Sequence, residues 1–209
     1  DVLTGTAVFT VSSAGLSSLD VTATEADNDA PATKFYVVND ALQDQTYGYT
    51  AGGGLNGSYN LNAGNTAPRG IATTVAGDKI WVVDANRQVY VYNAAGGLLG
   101  SWTAGALAGN AVVEDIAVHG TDVWILDAKS QTVYRYSGAA GRLSGTQDAD
   151  PPEYNLSLNK ANKNPKGIVT DGTYLWVVDD ATTDTVFKYQ LSGLLLGNWT
   201  ISTSGAARP

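Results

Sequence analysis

The chain has 209 residues, enough for one domain or two small ones, and its 20 acidic and 12 basic residues give a formal charge of −8. The basic residues form no stripe, so nucleic-acid phosphates and anionic membrane surfaces would repel the chain, and we expect no binding to nucleic acid. The apolar runs are too short to cross a bilayer, which predicts no membrane insertion. Without cysteine, the chain has no disulfide, no thiolate metal site and no cysteine nucleophile.

The N-terminal segment, residues 1–18, precedes the repeats described below. Residues 4–11 read Thr-Gly-Thr-Ala-Val-Phe-Thr-Val, a run that predicts an extra N-terminal strand. An open sheet edge accepts strands from neighbours, so this segment is either a donor strand for assembly or the end of a preceding module. The candidate assembly residues are Thr4, Thr6, Val8, Phe9 and Val11.

An acidic turn follows, with the sequence Glu-Ala-Asp-Asn-Asp-Ala-Pro at residues 25–31. Its oxygen-bearing side chains make it a candidate calcium site, although it lacks the spacing and the glycine of an EF-hand loop. It resembles the Asp/Asn-rich endings of cadherin-type and Calx-β-type modules, and an ordinary acidic hairpin turn is the alternative. We predict no other cofactor. The candidate ligands are Glu25, Asp27, Asn28 and Asp29.

One motif recurs along the rest of the chain, in strands rich in Val, Ile and Trp. Trp81-Val82-Val83-Asp84 returns as Trp124-Ile125-Leu126-Asp127 and Trp176-Val177-Val178-Asp179, with Tyr36-Val37-Val38-Asn39 as a weaker copy; the spacings are 45, 43 and 52 residues. Repeats of this length, each with several strand-like runs, are typical of β-propeller blades. The sequence therefore predicts an all-β fold, and we expect the three tryptophans of the motif to pack between stacked blades.

Each repeat predicts four strands, which gives four four-stranded blades. In the second repeat the strands are expected at residues 70–74, 79–84, 88–93 and 98–103. The first strand of blade 1 is expected near Leu19, and residues 142–152 form an insertion in blade 3, predicted to be an exposed loop. The predicted blades span residues 19–66, 67–108, 109–162 and 163–209.

At Pro68-Arg69-Gly70-Ile71-Ala72, and from Trp81 through Val89-Tyr90-Val91-Tyr92, the chain resembles the NHL-type, or YVTN-like, propeller repeat of bacterial extracellular proteins. Asn164-Pro165-Lys166-Gly167-Ile168-Val169 and Val186-Phe187-Lys188-Tyr189 show the same resemblance. Such propellers usually have six or seven blades, so four blades imply either a small ring or blades supplied from elsewhere. The family includes binding modules, lyases and scaffolds, and the resemblance implies the fold rather than the function.

Two sets of side chains are candidate binding sites. Asp84, Asp127 and Asp179 end the second strand of their repeats and could line one ring face to bind a cation or sugar hydroxyls; a repeated role in the following turn is the interpretation we favour. Aromatic residues of the fourth strand, which is often half exposed, could form a rim that stacks on sugars or docks proteins. The rim candidates are Tyr59, Trp102, Tyr154 and Trp199.

The chain shows no catalytic constellation in its sequence, and we expect its single histidine, His119, to lie in a surface turn. The leading hypothesis is a non-enzymatic structural or adhesive module, extracellular or at the cell surface. It would bind copies of itself or other surface proteins and assemble into a filament or stalk by strand addition. The alternatives are a ligand- or carbohydrate-binding module of a larger secreted protein and, third, a lactonase- or lyase-type propeller enzyme.

Overall fold

The structure is a computed structural model and describes residues 6–24 and 35–201. The first described element is an antiparallel hairpin of β1 (Thr6–Val11) and β2 (Leu19–Thr24), paired from Thr6 opposite Thr24 to Val11 opposite Leu19. The predicted N-terminal strand is therefore present. The assignment of residue 19 onward to blade 1 is wrong, because β2 pairs with β1. A short connection of residues 12–18 makes this local pairing the less costly one in loop entropy.

Four sheets, the blades, follow in chain order. Among the described residues, blade 1 has three of its predicted four strands, and blades 2 to 4 each have the predicted four-strand meander. Blade 1 holds β3 (Phe35–Asn39), β4 (Gln45–Tyr49) and β5 (Leu55–Asn60); blade 2 holds β6 (Pro68–Thr73), β7 (Lys79–Asp84), β8 (Gln88–Asn93) and β9 (Leu98–Ala104); blade 3 holds β10 (Val113–His119), β11 (Asp122–Asp127), β12 (Thr132–Tyr136) and, after the insertion strand β13 (Thr146–Gln147), β14 (Leu156–Ser157); blade 4 holds β15 (Pro165–Thr170), β16 (Tyr174–Asp179), β17 (Thr185–Gln190) and β18 (Leu195–Thr200).

The insertion of blade 3 is largely exposed, as predicted, but it contains a short strand, β13. β13 pairs in parallel with β9 and adds a fifth strand to blade 2, where the N–H of Thr103 donates to the carbonyl of Gly145 at 2.8 Å. Gly100 makes this approach possible, since a Cβ there would lie 2.2 Å from the carbonyl oxygen of Leu143. Two short 3₁₀ helices, Ala139–Gly141 and Pro152–Tyr154, flank the strand. The insertion thus covers an otherwise open sheet edge.

The core lies between consecutive blades. The second strand of each interior blade is a continuous apolar run because it is covered on both faces. In β7, Ile80 and Val82 pack toward blade 1, whereas Trp81 and Val83 pack toward blade 3. Trp124 fills the equivalent place between blades 3 and 4, so core packing is confirmed for Trp81 and Trp124. Trp176 is only half-buried, because no described blade follows on its side.

Trp102 shows how much of the stability depends on these contacts. Its side chain has no exposed surface, and its ring meets that of Tyr136 edge to face at 5.4 Å. We predict that Trp102→Ala lowers the free energy of unfolding by about 3–5 kcal/mol, because it leaves a cavity between blades 2 and 3. Tyr154→Ala, which removes an aromatic ring that is 54% exposed, should cost less than about 1 kcal/mol. Urea denaturation of both variants checks this, and equal losses would contradict it.

Candidate functional site

The first strands of blades 2 to 4 meet at the centre of the ring. β6 contacts β10, β10 contacts β15, and β3 lies beside β6 as the innermost strand of blade 1. The four strands and the turns that follow them line a central cavity of about 720 Å³, with mostly hydrocarbon walls and threonine hydroxyls. His119 lies in this lining as the last residue of β10, with its ring against Gly172 of the neighbouring blade. It is exposed, as predicted, but it belongs to a strand.

Asp115 is the charged side chain that sequence reasoning missed. Blades 2 and 4 begin with Pro-Arg/Lys-Gly-Ile, whereas blade 3 has Val-Glu-Asp-Ile, so a carboxylate replaces the glycine. Its Oδ2 accepts a hydrogen bond from the N–H of Ile168 at 2.8 Å, and its Oδ1 accepts one from the N–H of Ile116 at 2.8 Å. A Cβ on Gly70 would lie 2.1 Å from Oδ1, so the neighbouring strand must carry glycine there. One side chain therefore joins the inner strands of three blades.

Burial raises the pKa of the Asp115 carboxyl to about 7, against the opposing effect of the two backbone hydrogen bonds, and the neighbouring Glu114 raises it further. Glu114 itself pairs with Lys166 of β15 at 2.6 Å. Arg69 of β6 pairs with Asp40 of blade 1 at 2.5 Å. These partly exposed ion pairs contribute little to stability, and each one links neighbouring blades near the ring centre. The ring centre thus contains a carboxyl group that titrates near neutral pH.

The ring-face candidates are buried, and their carboxylate oxygens accept hydrogen bonds from the backbone. Asp84 accepts from the N–H of Ala67 through Oδ2 and from the N–H of Asn86 through Oδ1, both at 2.9 Å. Asp127 repeats the arrangement in blade 3, and Oδ1 of Asp179 accepts from the N–H of Asn164 at 2.6 Å in blade 4. Each carboxylate joins the end of the second strand to the residue that leads into the first. Asp84 and Asp127 accept from the following turn, as the turn interpretation expects, whereas the hydrogen bond of Asp179 comes from Asn164. All three side chains are 1–2% exposed, so they are not displayed on a ring face.

The aromatic rim candidates do not form a continuous surface band. Trp102 is completely buried, and Tyr59 is partly buried against Tyr92 between blades 1 and 2. The prediction of exposure for Trp102 is wrong because blade 3 packs on its ring. Tyr154 lies on a 3₁₀ helix rather than on the fourth strand, and it is exposed, as is half of Trp199. A binding role for Tyr154 and Trp199 stays a prediction.

In the part of the chain that the structure describes, no sheet packs on one face of each end blade, which we call its free face. The free face of blade 1 is defined by Phe35, Val37, Tyr47, Tyr49 and Leu55, with the rings of Phe35 and Tyr49 stacked at 5.2 Å. The free face of blade 4 is defined by Val169, Trp176, Val178, Val186 and Trp199.

Lys188 is the charged residue that accompanies the free face of blade 4. Its ammonium lies 3.7 Å from the ring centroid of Tyr174 and 5.4 Å from that of Trp176. The cation–π contacts hold the long side chain along the aromatic rings, so that it covers part of the apolar surface. The free face of blade 4 is therefore rich in aromatic surface, as is that of blade 1 with its stacked Phe35 and Tyr49 rings.

The candidate assembly strand lies in the exposed hairpin. Thr6, Val8, Phe9 and Val11 belong to β1, every residue of which is exposed, and Thr4 lies outside the described residues. Adjacent residues of a strand point to opposite faces, so Val8 and Phe9 present apolar side chains on both sides of the hairpin. An isolated two-stranded hairpin is marginally stable, which favours its pairing with a further strand.

The proposed calcium ligands Glu25, Asp27, Asn28 and Asp29 also lie outside the described residues. Within residues 6–24 and 35–201, no three His, Asp or Glu side chains come together as a metal site. The same part of the chain has no helix that is long and apolar enough to span a membrane.

Comparison with known proteins adds evidence on the fold. The chain is similar to a chain in the crystal structure of a nidogen/laminin complex, with a TM-score of 0.52 and 12% identity over 79% of this chain and 60% of that one. The fold is a β-propeller. A second similar structure is Hsv2 of Kluyvelomyces marxianus, with a TM-score of 0.47 and 14% identity over 74% of this chain and 49% of that one.

The β-propeller predicted from the repeats is thus confirmed, while the NHL-type affiliation and bacterial origin stay predictions. The chain spans about 60% and 49% of the two propeller chains. No family model matches the sequence, and no curated protein matches it.

The raised pKa of Asp115 gives a pH-dependent stability. The folded carboxyl holds its proton up to about pH 7, whereas the unfolded one releases it near pH 4. Its contribution is therefore complete below about pH 4 and is lost as the pH rises through 7, at up to about 1.4 kcal/mol per pH unit. We predict that Asp115→Asn, which imitates the protonated acid, removes this component, so that the variant gains stability relative to wild type between pH 4 and 7.

Urea unfolding from pH 4 to 8 measures the difference. The pKa values of Asp78, Asp122 and Asp171 are lowered by their hydrogen bonds, and their effects are common to both proteins and cancel in the comparison. Glu153→Gln removes an exposed carboxyl and serves as the control. Parallel curves for wild type and Asp115→Asn would contradict the prediction.

Proposed function

We propose that this chain is a non-enzymatic structural or adhesive propeller module of an extracellular or cell-surface protein, and that it works by binding copies of itself or other surface proteins. The observation that carries the proposal is the pair of free faces on blades 1 and 4. Their apolar side chains occupy repeat positions that are buried wherever a neighbouring blade is present. A protein surface of this kind favours another protein as its partner.

The repeat gives a direct comparison for blade 1. Phe35 and Val37 are 46% and 43% exposed, whereas Ile80 and Val82, at the same positions in blade 2, are fully buried. In blades 3 and 4 the matching residues are also fully buried. The difference is that no described sheet packs on that side of blade 1.

Blade 4 shows the complementary case. Val178 is 37% exposed and Trp199 is 50% exposed, whereas Val83 and Trp102, their equivalents in blade 2, are fully buried by blade 3. Complete burial of one such side chain contributes about 1.5–3 kcal/mol. The free face of blade 4 is thus the kind of surface that each interior blade presents to the next, and the free face of blade 1 is the kind that receives it. Contact between two copies would join head to tail.

The hairpin of β1 and β2 offers a second mode of contact, strand addition. Within residues 6–24 and 35–201, no strand pairs with the inner edge of β3. A strand from another copy can pair with such an edge through backbone hydrogen bonds. Head-to-tail donation does not close on itself, so it would build a filament or stalk.

A ligand- or carbohydrate-binding role is the second candidate, favoured by the exposed rings of Tyr154 and Trp199. A lactonase- or lyase-type activity has less support. The described lining of the central cavity combines a single histidine, His119, with a single carboxylate, Asp171, and threonine hydroxyls. Such reactions require several converging acids, amides or histidines.

Light scattering after size exclusion tests the assembly. The wild-type chain should form concentration-dependent species well above 21.7 kDa, the mass of one copy. The double variants Phe35→Glu/Val37→Glu and Val178→Glu/Trp199→Glu should each shift the protein to the monomer, because a buried unpaired carboxylate opposes face packing. Leu42→Glu is the control, since Leu42 is exposed and lies on neither free face.

Deletion of residues 1–24 separates the two modes of contact. Loss of large species in the deletion alone supports strand addition, and loss in the face variants alone supports blade stacking. A wild-type protein that stays at 21.7 kDa at every concentration, and captures no other protein partner, would overturn the proposal.

A further inference from the structure

A small oxygen-rich cavity lies where blade 1 meets the connection to blade 2, and two buried acceptors there have no hydrogen-bond donor. Oδ1 of Asp44, the residue before β4, is buried without a partner among the described residues. Oδ1 of Asn65, a residue only 1% exposed, is in the same situation. Both side chains line a cavity of about 210 Å³. Buried acceptors without a donor are costly, so this pair calls for a bound group.

The repeat shows what the other blades place here. In every blade, the carbonyl of the residue before β4, β8, β12 or β17 accepts an N–H at or just after the end of β5, β9, β14 or β18, respectively; Asp44, Arg87, Gln131 and Asp184 have this role. In blades 2 and 3 the side chain also donates to a carbonyl of the following connection. Arg87 Nη1 donates to the carbonyl of Leu107, and Gln131 Nε2 donates to that of Asn162, both at 3.0 Å.

Asp44 cannot make that contact, because an ionised carboxylate only accepts hydrogen bonds. Blade 1 therefore presents an acceptor at the position where blades 2 and 3 present a donor. The amide group of Asn65 does not compensate for this, since its Nδ2 already faces the hydroxyl of Tyr92 at 3.4 Å and its oxygen is the orphaned atom. A cation bound between the two oxygens would satisfy both of them, which no donor of the described residues does.

The lining of the cavity has the chemistry of a hard-cation site. Besides Leu61 and Ala63, it consists of residues with carboxylate or amide oxygens, and no Lys, Arg or His is among them. Oxygen-only ligand sets favour Ca²⁺, with water completing the coordination shell. The oxygen-bearing lining residues are Gln43, Asp44, Asn60, Asn62 and Asn65.

We propose that this cavity binds Ca²⁺ through the carboxylate of Asp44 and the amide oxygen of Asn65. The site is separate from residues 25–29 and does not depend on the assembly proposed above. A single carboxylate gives weak binding, with a Kd of about 10⁻⁴–10⁻³ M, the range of extracellular calcium modules. The ion would tie the turn between β3 and β4 to the connection that leads into blade 2.

Calorimetric titration with CaCl₂ after chelator treatment tests the site, together with thermal unfolding at the same calcium concentrations. Wild type should bind Ca²⁺ and unfold at a higher temperature when it is present. Asp44→Asn keeps the size of the side chain and should weaken binding at this site about tenfold or more. Asn65→Asp adds a second carboxylate and should tighten it. Glu153→Gln, an exposed change of the same charge, should behave like wild type.

The stoichiometry separates this site from any ion bound at residues 25–29, because binding there persists in Asp44→Asn. Equal affinity and stoichiometry in wild type, Asp44→Asn and Asn65→Asp would overturn the proposal. Absence of a wild-type response up to about 10 mM CaCl₂ would also overturn it, and a water molecule only would then occupy the cavity. Asn65→Asp keeps the test decisive if Asp44→Asn fails to fold.

Discussion

Each blade of this propeller is a thin sheet with an apolar side chain on both faces, and its stability depends on a second sheet lying against each face. A single sheet buries too little surface to stand alone, and stacking spreads the burial over several neighbours. Trp81 and Val83 of blade 2 are covered by blade 3, just as Trp124 is covered by blade 4. The same dependence accounts for the apolar side chains that blades 1 and 4 leave exposed among the described residues.

The polar residues of the ring act within this stacking. Asp84, Asp127 and Asp179 satisfy backbone N–H groups where the chain crosses from one blade to the next, so the sheets are held at fixed starting points. Asp115 couples three inner strands through its two oxygens and through the space that Gly70 leaves for it. The blade faces provide most of the burial, and these carboxylates determine the register in which the blades stack.

Most of the fold was readable because the repeat itself encodes it. The Trp-Val-Val-Asp motif predicted the second strands, the core tryptophans and the turn carboxylates, since every copy of the motif forms the same strand and turn. The failures occurred where a residue's surroundings come from distant chain segments. Residues 19–24 form a strand, but their sequence does not specify whether β1 or β3 is the partner. Trp102 has the sequence context of an outer strand, yet blade 3 covers its ring.

Of the candidate site residues, the turn aspartates were anticipated in their structural role, whereas Asp115 and Asp44 were overlooked. For Asp115 the signal was a departure from the repeat, a carboxylate where blades 2 and 4 have glycine; for Asp44 it was a carboxylate, shared with Asp184 of blade 4, where blades 2 and 3 have arginine and glutamine. Such a departure becomes interpretable only when the structure shows which backbone groups lie within reach.

The strand β13 belongs to the chain segment of blade 3 but pairs within blade 2, and this pairing affects how the molecule unfolds. In a simple row of blades, each unit separates from the next by parting one apolar interface, and unfolding starts at whichever end is weakest. β13 crosses this interface and hydrogen-bonds to β9, so blades 2 and 3 also share a backbone ladder. We therefore expect the central pair to open as one cooperative unit, with slow exchange of the amides of Ser101, Thr103 and Gly105, and blades 1 and 4 to open more readily around it.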